Sequence, residues 1–307
     1  MKPDRIIYYL KNPLKIITQL GVRGFFNWMP DKMYLEIIFR CEMDKKLDLR
    51  NPVTYNEKLQ WIKLYDHNPL YNTLVDKYDV KKYVSEKIGH EYVIPTIGIW
   101  ENVDDIPFDK LPSQFVIKCT HDSGSIVICN DKTKFDYLSA KKKIKKCLKK
   151  RFYKSGREWP YKDLRPRIIV ERYMEDPETD ELRDYKFFCF DGVVQAMFIA
   201  TDRQASDRPT AFDFFDPDYH HLDIRHGHPN AETLPKKPAN FELMKELAQK
   251  LSQNIPHVRV DFYEVDGKVY FGEMTFFHHG GLVPFDPPEW DYRFGKWIIL
   301  PNRKAYN

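Results

Sequence analysis

Apolar and polar residues alternate most regularly near the carboxyl end of the chain. Val258, Val260 and Phe262 recur at every second position, Val265-Asp266-Gly267 interrupts, and KVYFGEMTFF resumes an extended pattern. Side chains alternate sides of a strand, so this stretch predicts a hairpin within 258–281. Two registers compete. A two-residue turn at Asp266-Gly267 puts Asp261 and Glu273 on opposite faces. A three-residue loop, 265–267, with Gly267 left-handed in a bulge, sets Glu264 against Lys268. Arg259, Asp261, Phe271 and Glu273 then share one side, and Val258, Val260, Phe262, Tyr270, Gly272 and Met274 the other. This second register separates a core face from a charged face, and the pattern favours it.

Helical periodicity dominates the first third. Residues 1–50 mix short apolar clusters with Lys and Arg, which predicts short helices broken at Pro13 and Pro30, or a basic aromatic segment lying on a membrane surface. Thr54-x-x-Glu57 is a capping box before KLQWIKLY. A helix from about Asp76 presents Val80, Tyr83, Val84 and Ile88 on one face and stops at Gly89. From Tyr92 the reading changes to strands: YVIPTIGIW, then QFVIKCTHDSGSIVIC as strand, Gly-containing loop and strand. FDYLSAKKKIKKCLKKRFYKS predicts a basic helix with Leu138, Ile144, Cys147, Leu148 and Phe152 along one stripe. RPRIIVERYMED reads as a buried strand ending in Glu171, and RDYKFFCFDG as another with Asp184, Lys186, Phe188 and Phe190 on one side. The polar stretch 201–240 reads as a loop region near the site. A helix from Phe241 to about Asn254 follows, with Asn240 as its N-cap.

Among 307 residues the net charge is only +4, which points to no nucleic-acid partner. Five cysteines at 41, 119, 129, 147 and 189 lack paired metal spacing and read as reduced, mostly core residues. No apolar run reaches the length of a membrane span and no secretory pattern is present, so the expected location is the cytoplasm, at the inner face of the membrane if residues 1–50 touch it. The hairpin's charged face offers candidate chemistry. Asp261 and Glu273 are hard oxygen ligands of the kind magnesium takes, and Arg259 stands where charge would develop on a transferred phosphate. The plainer alternative is an Arg259–Glu273 salt bridge with Asp261 solvated. Lys118 before the 121–125 turn, and Lys186 on a half-buried strand, both suit an anionic ligand. His220, His221, His226 and His228 lack accompanying cysteines at zinc spacing, so a structural zinc site is not expected. His278 and His279 lack an obvious third ligand, and are expected to position substrate or cap their loop.

The order FVIKCTHDSGS, IIVERYM, R-x-D and E-x-T resembles the ATP-grasp superfamily across roughly 76–285. TYNEKLQW, DKYDVKKYV, DYKFF and VYFGEMTFF are similar to its branch named for teichuronopeptide biosynthesis, the TupA-like proteins. The resemblance implies an α+β ATP-grasp fold, two α+β subdomains gripping a nucleotide; the superfamily usually begins with an α/β domain, whereas the amino-terminal region here reads as helical. Residues 1–75 would be that region, 76–170 the first subdomain and 171–307 the second.

The resemblance also implies roles. Lys118 and Lys186 would contact the phosphates of ATP, with Ser123, Gly124 and Ser125 closing over them. Glu171, Arg172 and Tyr173 would form the adenine hinge, and Glu181 would reach the ribose. Asp261 and Glu273 would hold Mg2+, with Thr275 where many relatives carry Asn, and Arg259 and Lys186 would be catalytic. Relatives of this branch are associated with bacterial surface polysaccharides, which implies a carboxylate–amine ligase acting through an acyl phosphate on a sugar, uronic-acid or amino-acid unit. The alternatives are a sugar kinase in the same fold and a nucleotide-sugar glycosyltransferase using Asp216-Pro-Asp218. The substrate side would come from the helical region, 201–240 and His278-His279-Gly280-Gly281.

Overall fold

The capping box forms as its spacing requires. Thr54 Oγ1 accepts from the Glu57 amide and the Glu57 carboxylate accepts from the Thr54 amide, and the helix Tyr55–Tyr65 starts there. In this computed structural model, which describes residues 13–175, 182–203 and 209–302, Pro13 and Pro30 stand at the N-caps of the helices Leu14–Val22 and Asp31–Met43. Shorter helices span Leu70–Val75 and Val80–Ile88, the latter ended by Gly89 at φ 120°.

Among the described residues, ten strands form two antiparallel sheets. β1 (Thr96–Trp100), β2 (Phe115–Cys119), β3 (Val127–Cys129) and β4 (Ile168–Arg172) are ordered β1-β4-β2-β3. β5 (Asp184–Phe190), β6 (Val193–Thr201), β7 (Ala211–Phe215), β8 (His221–Leu222), β9 (Val258–Val265) and β10 (Lys268–Thr275) are ordered β10-β9-β5-β6-β7-β8. The helix Tyr137–Leu148 packs on the smaller sheet through Ile144, in a core with Phe115, Ile117, Ile168 and Val170. The helix Phe241–Leu251 packs on the larger sheet, and that core also takes in Tyr34, Phe39, Leu59 and Val84 from the amino-terminal helices. These helices therefore share the larger sheet's core. No helix among the described residues is long and apolar enough to cross a membrane.

Several local expectations are corrected. The hairpin turn has two residues: Val265 pairs with Lys268, and Asp266 and Gly267 carry φ 50° and 69°, both left-handed as a mirror-image turn demands. A register shift between Phe271 and Glu273 then leaves Gly272 as the extra residue and sets Glu273 directly opposite Asp261. A Cβ on Gly272 would meet the Asp261 carbonyl at 3.1 Å, so the bare glycine permits this close bulge. The carboxylates meet on one face as expected, by a different device; Val269 and Phe271 are buried, whereas Tyr270 is half-buried. Leu138 is 82% exposed, off the packed stripe. Part of 201–240 is strand, β7, buried throughout. Asn240 makes no side-chain cap; its amide donates instead to Glu264 and to the Gly267 carbonyl.

Candidate nucleotide and phosphoryl-transfer site

A cleft of about 240 Å³ lies between the sheets, with Lys81, Lys118, Glu171, Asp184, Lys186 and Glu273 in its walls. On the β2–β4 side, Lys118 lies 2.8 Å from the Glu171 carboxylate, and Lys81, from the helix Val80–Ile88, closes on its other oxygen. Burial would depress the Lys118 ammonium, but Glu171 outweighs it and raises the pKa. Burial would likewise raise Glu171, but Lys118 and Lys81 hold it below the usual range. Glu171 thus presents its side chain to two lysines.

The other sequence-assigned residues of this half divide. Ser123 and Gly124 line the cleft, and Gly124 has φ 89°, a conformation glycine adopts without strain. Ser125 is buried; its hydroxyl accepts from the Cys119 amide at 2.9 Å and donates to Asp122, so it shapes the loop from beneath. The Arg172 amide donates to the Pro95 carbonyl at 3.0 Å, with Tyr173 directly after the strand. Glu181 lies outside the described residues.

On the larger sheet, β5 and β9 pair so that Lys186 stands opposite Asp261. Lys186 Nζ donates to Asp261 Oδ2 at 2.6 Å and lies 3.4 Å from Asp184. Arg259 grips Asp261 with two parallel bonds of 2.7 Å, Nε to Oδ1 and Nη2 to Oδ2. Its Nη2 also donates to Thr275 Oγ1 at 3.0 Å and reaches Glu273 at 3.5 Å. Asp261 is 0% exposed while the Glu273 side chain is 45% exposed. The plain salt-bridge reading is therefore inverted: Asp261 is the buried partner of Arg259, and Glu273 is the accessible carboxylate. Burial would raise Asp261, but Arg259 and Lys186 hold it low.

These donors fit magnesium in part. Glu273 offers its carboxylate to the cleft, whereas both Asp261 oxygens already accept from Arg259, and Oδ2 from Lys186 as well. The Thr275 hydroxyl is engaged by Arg259 and donates toward Glu273 at 3.4 Å.

Arg259 leads on to the expected substrate side. Its Nη1 donates to His278 Nδ1 at 2.7 Å. A third imidazole, His226, brings its ligating atom within 4.8 Å of those of His278 and His279, a partner the sequence did not show. Arg259 always donates, so neutral His278 carries its hydrogen on Nε2, while His226 donates Nε2–H to the Val283 carbonyl and keeps a bare Nδ1. Burial pushes His226 down to about 3 and His279 to about 4. A three-nitrogen metal site needs a lone pair on His278 Nε2, which the bond from Arg259 denies; this mixture of N–H and lone pairs suits a hydroxyl or water. Beside it, Lys63 donates to the Gly280 carbonyl at 2.8 Å, and a Cβ on Gly280 would stand 3.9 Å from both Lys63 Nζ and Glu158 Oε1. Burial lowers Lys63 and raises Glu158, each partly offset by the other.

Lys81 and Glu158 were missed as site residues by sequence reasoning, since each arrives from a distant element, and Asp184 was read only as sharing a strand face with Lys186. Asp216 accepts from the Asp218 and His220 amides and from His220 Nδ1, so it braces the β7–β8 turn. A larger groove of about 1100 Å³, lined by 229–239, Tyr185 and Glu264, lies on the opposite face of the large sheet.

Residues 57–299 match the TupA-like ATP-grasp family. A comparison with curated proteins finds no match. Among solved structures, the chain is similar to a D-alanine–D-alanine ligase from Bacillus anthracis complexed with ATP, at TM-score 0.39 and 15% identity over 66% of this chain and 54% of that one. An L-amino acid ligase from Bacillus licheniformis gives 0.46 and 10% over 83% and 57%, and a D-alanine–D-alanine ligase from Helicobacter pylori 0.41 and 12% over 81% and 68%. The chain thus spans between half and about two-thirds of the length of these proteins.

Proposed function

Because the chain belongs to the TupA-like ATP-grasp family, we propose that it is an ATP-dependent carboxylate–amine ligase of bacterial surface polysaccharide assembly. The carrying observation is the opposition, across one cleft, of the Lys118–Glu171–Lys81 group and the Lys186–Asp261–Arg259–Glu273 group. In this reading Lys118 and Lys186 bind and orient the phosphates of ATP, and Arg259 neutralises charge on the reacting oxygens. Glu273, joined by Asp261 with Thr275 beside them, would hold magnesium, which screens the phosphate oxygens when bound.

A substrate carboxylate oxygen attacks the γ-phosphorus, ADP leaves, and an acyl phosphate forms. The amine then attacks the acyl carbon, the phosphate leaves and an amide results. The amine must shed a proton, and we assign that proton to Glu158, whose carboxylate makes no hydrogen bond among the described residues and whose affinity for a proton is raised by burial. Identification of the acceptor with a sugar, uronic-acid or amino-acid unit rests on the family resemblance.

ATP with magnesium should raise the melting temperature, since a ligand that binds only the folded chain stabilises it by mass action. UDP-sugars should leave it unchanged. A shift with UDP-sugars and none with ATP would replace the ligase by a glycosyltransferase.

A further inference from the structure

Between the helices Leu14–Val22 and Asp31–Met43 the chain makes a tight turn whose apolar residues face two ways. Phe26 and Met29 pack inward on the core. Val22, Phe25 and Trp28, at three-residue spacing, are 55%, 64% and 76% exposed. This is not a loosely held tip. Buried Arg157 donates from Nη2 to the Phe26 carbonyl at 2.8 Å and stacks its guanidinium 4.5 Å over Tyr34, which fixes the turn from inside. The outward aromatics are therefore held in place, with nothing among the described residues covering them.

Cations surround this tip. Arg23 lies on the turn itself, and Lys154 donates to the Asn27 carbonyl at 3.4 Å, which brings the exposed Lys150-Arg151 pair to the same region of the chain. The carboxylate following the turn, Asp31, is already committed to Tyr153 and Arg157. A phenyl ring and an indole that is apolar in body with one polar N–H, flanked by Arg23 and Lys154, which form no ion pair among the described residues, match the boundary of an anionic bilayer.

The geometry points to a peripheral docking site for an anionic phospholipid surface at Val22, Phe25 and Trp28, with Arg23 and Lys154 contacting headgroups. The structure thus narrows the membrane expectation for residues 1–50 to one rigid tip. The site is independent of the reading of the nucleotide cleft.

The test is co-sedimentation of the full chain with vesicles of phosphatidylcholine, with and without phosphatidylglycerol, at low and high salt. Binding should require phosphatidylglycerol and weaken with salt, because headgroup contacts are screened. The double variant Phe25→Ser, Trp28→Ser should bind at least about tenfold more weakly, since two aromatic insertions are lost. Its melting temperature and its response to ATP should match the parent's, which separates failure of this site from failure of the cleft. Absence of binding to either vesicle would overturn the proposal, as would parental binding by the double variant. So would a fall in the parent's molecular mass in solution on introducing the two serines, which would show that the tip joins copies of the chain.

Discussion

Asp261→Asn should both unfold the protein readily and abolish phosphate release, whereas Glu273→Gln should abolish phosphate release alone. The carboxylates face each other across β9 and β10, yet their surroundings differ. Asp261 is fully buried and accepts two bonds from Arg259 and one from Lys186. An amide there keeps the volume, but leaves two cations without their counter-charge and presents N–H groups to donors. Removing one partner of a buried ion pair costs about 3–5 kcal/mol, because the other charge stays desolvated. Glu273 is half open to the cleft with one long contact to Arg259. Such a pair contributes about 0–1 kcal/mol, so the glutamine variant should melt close to the parent. Its loss is of a hard oxygen ligand, and titration calorimetry should show ATP binding that no longer responds to magnesium. Retained phosphate release in Glu273→Gln would move the metal site elsewhere. Parental stability of Asp261→Asn would mean that the Arg259–Asp261 pair is not formed in solution.

This contrast could not be read from spacing, and the reason is local. Arg259 and Asp261 are two residues apart, so their common face follows from strand geometry in either register. Whether Glu273 joins them depends on a single extra residue, and nothing in GKVYFGEM says whether it sits at the turn or at Gly272. The turn chemistry of Asp266-Gly267 favoured the two-residue form, and the clean core face favoured the longer loop. The fold satisfies both by moving the bulge five positions down the strand, where a glycine allows the backbone of Asp261 to come close. Signals confined to one element were legible: the Thr54 capping box, the stop at Gly89, and Lys118 before its loop. Signals that depend on which elements meet were not. Lys81 lies on the polar side of its helix, yet its side chain reaches Glu171 on β4, far away in sequence. His226 joins His278 and His279 across 52 residues of chain. Ala211–Phe215 reads as loop because polar residues flank it, but pairing with β6 and β8 outweighs that composition.

The nucleotide side of the cleft should respond in the opposite sense to two substitutions of one ion-pair group. Lys118→Ala should weaken ATP binding by about 1.5–3 kcal/mol, the range for a lost charge-assisted bond, or roughly 10–150-fold in Kd. The fold should tolerate it, since Lys81 still satisfies Glu171. Glu171→Gln removes the carboxylate that holds both lysines, so two ammonium groups are left side by side on one wall of the cleft and the free protein should melt lower. ATP supplies the missing negative charge. Its stabilising shift should therefore be larger in Glu171→Gln than in the parent, although the variant is weaker without ligand. Acid should expose the same linkage. Glu171 is held below its usual range, near 4.3 for a free glutamate, so its contribution is complete above that value and is lost as pH falls through the lower folded value. The parent's melting temperature should fall over that acid window more steeply than that of Glu171→Gln, which has no carboxylate to protonate. Thermal shifts with and without ATP, repeated across the acid range, decide the matter. An ATP shift in Glu171→Gln no larger than the parent's would show that phosphate does not replace this carboxylate between Lys118 and Lys81, and the β2–β4 wall would lose its assignment as the phosphate-binding side.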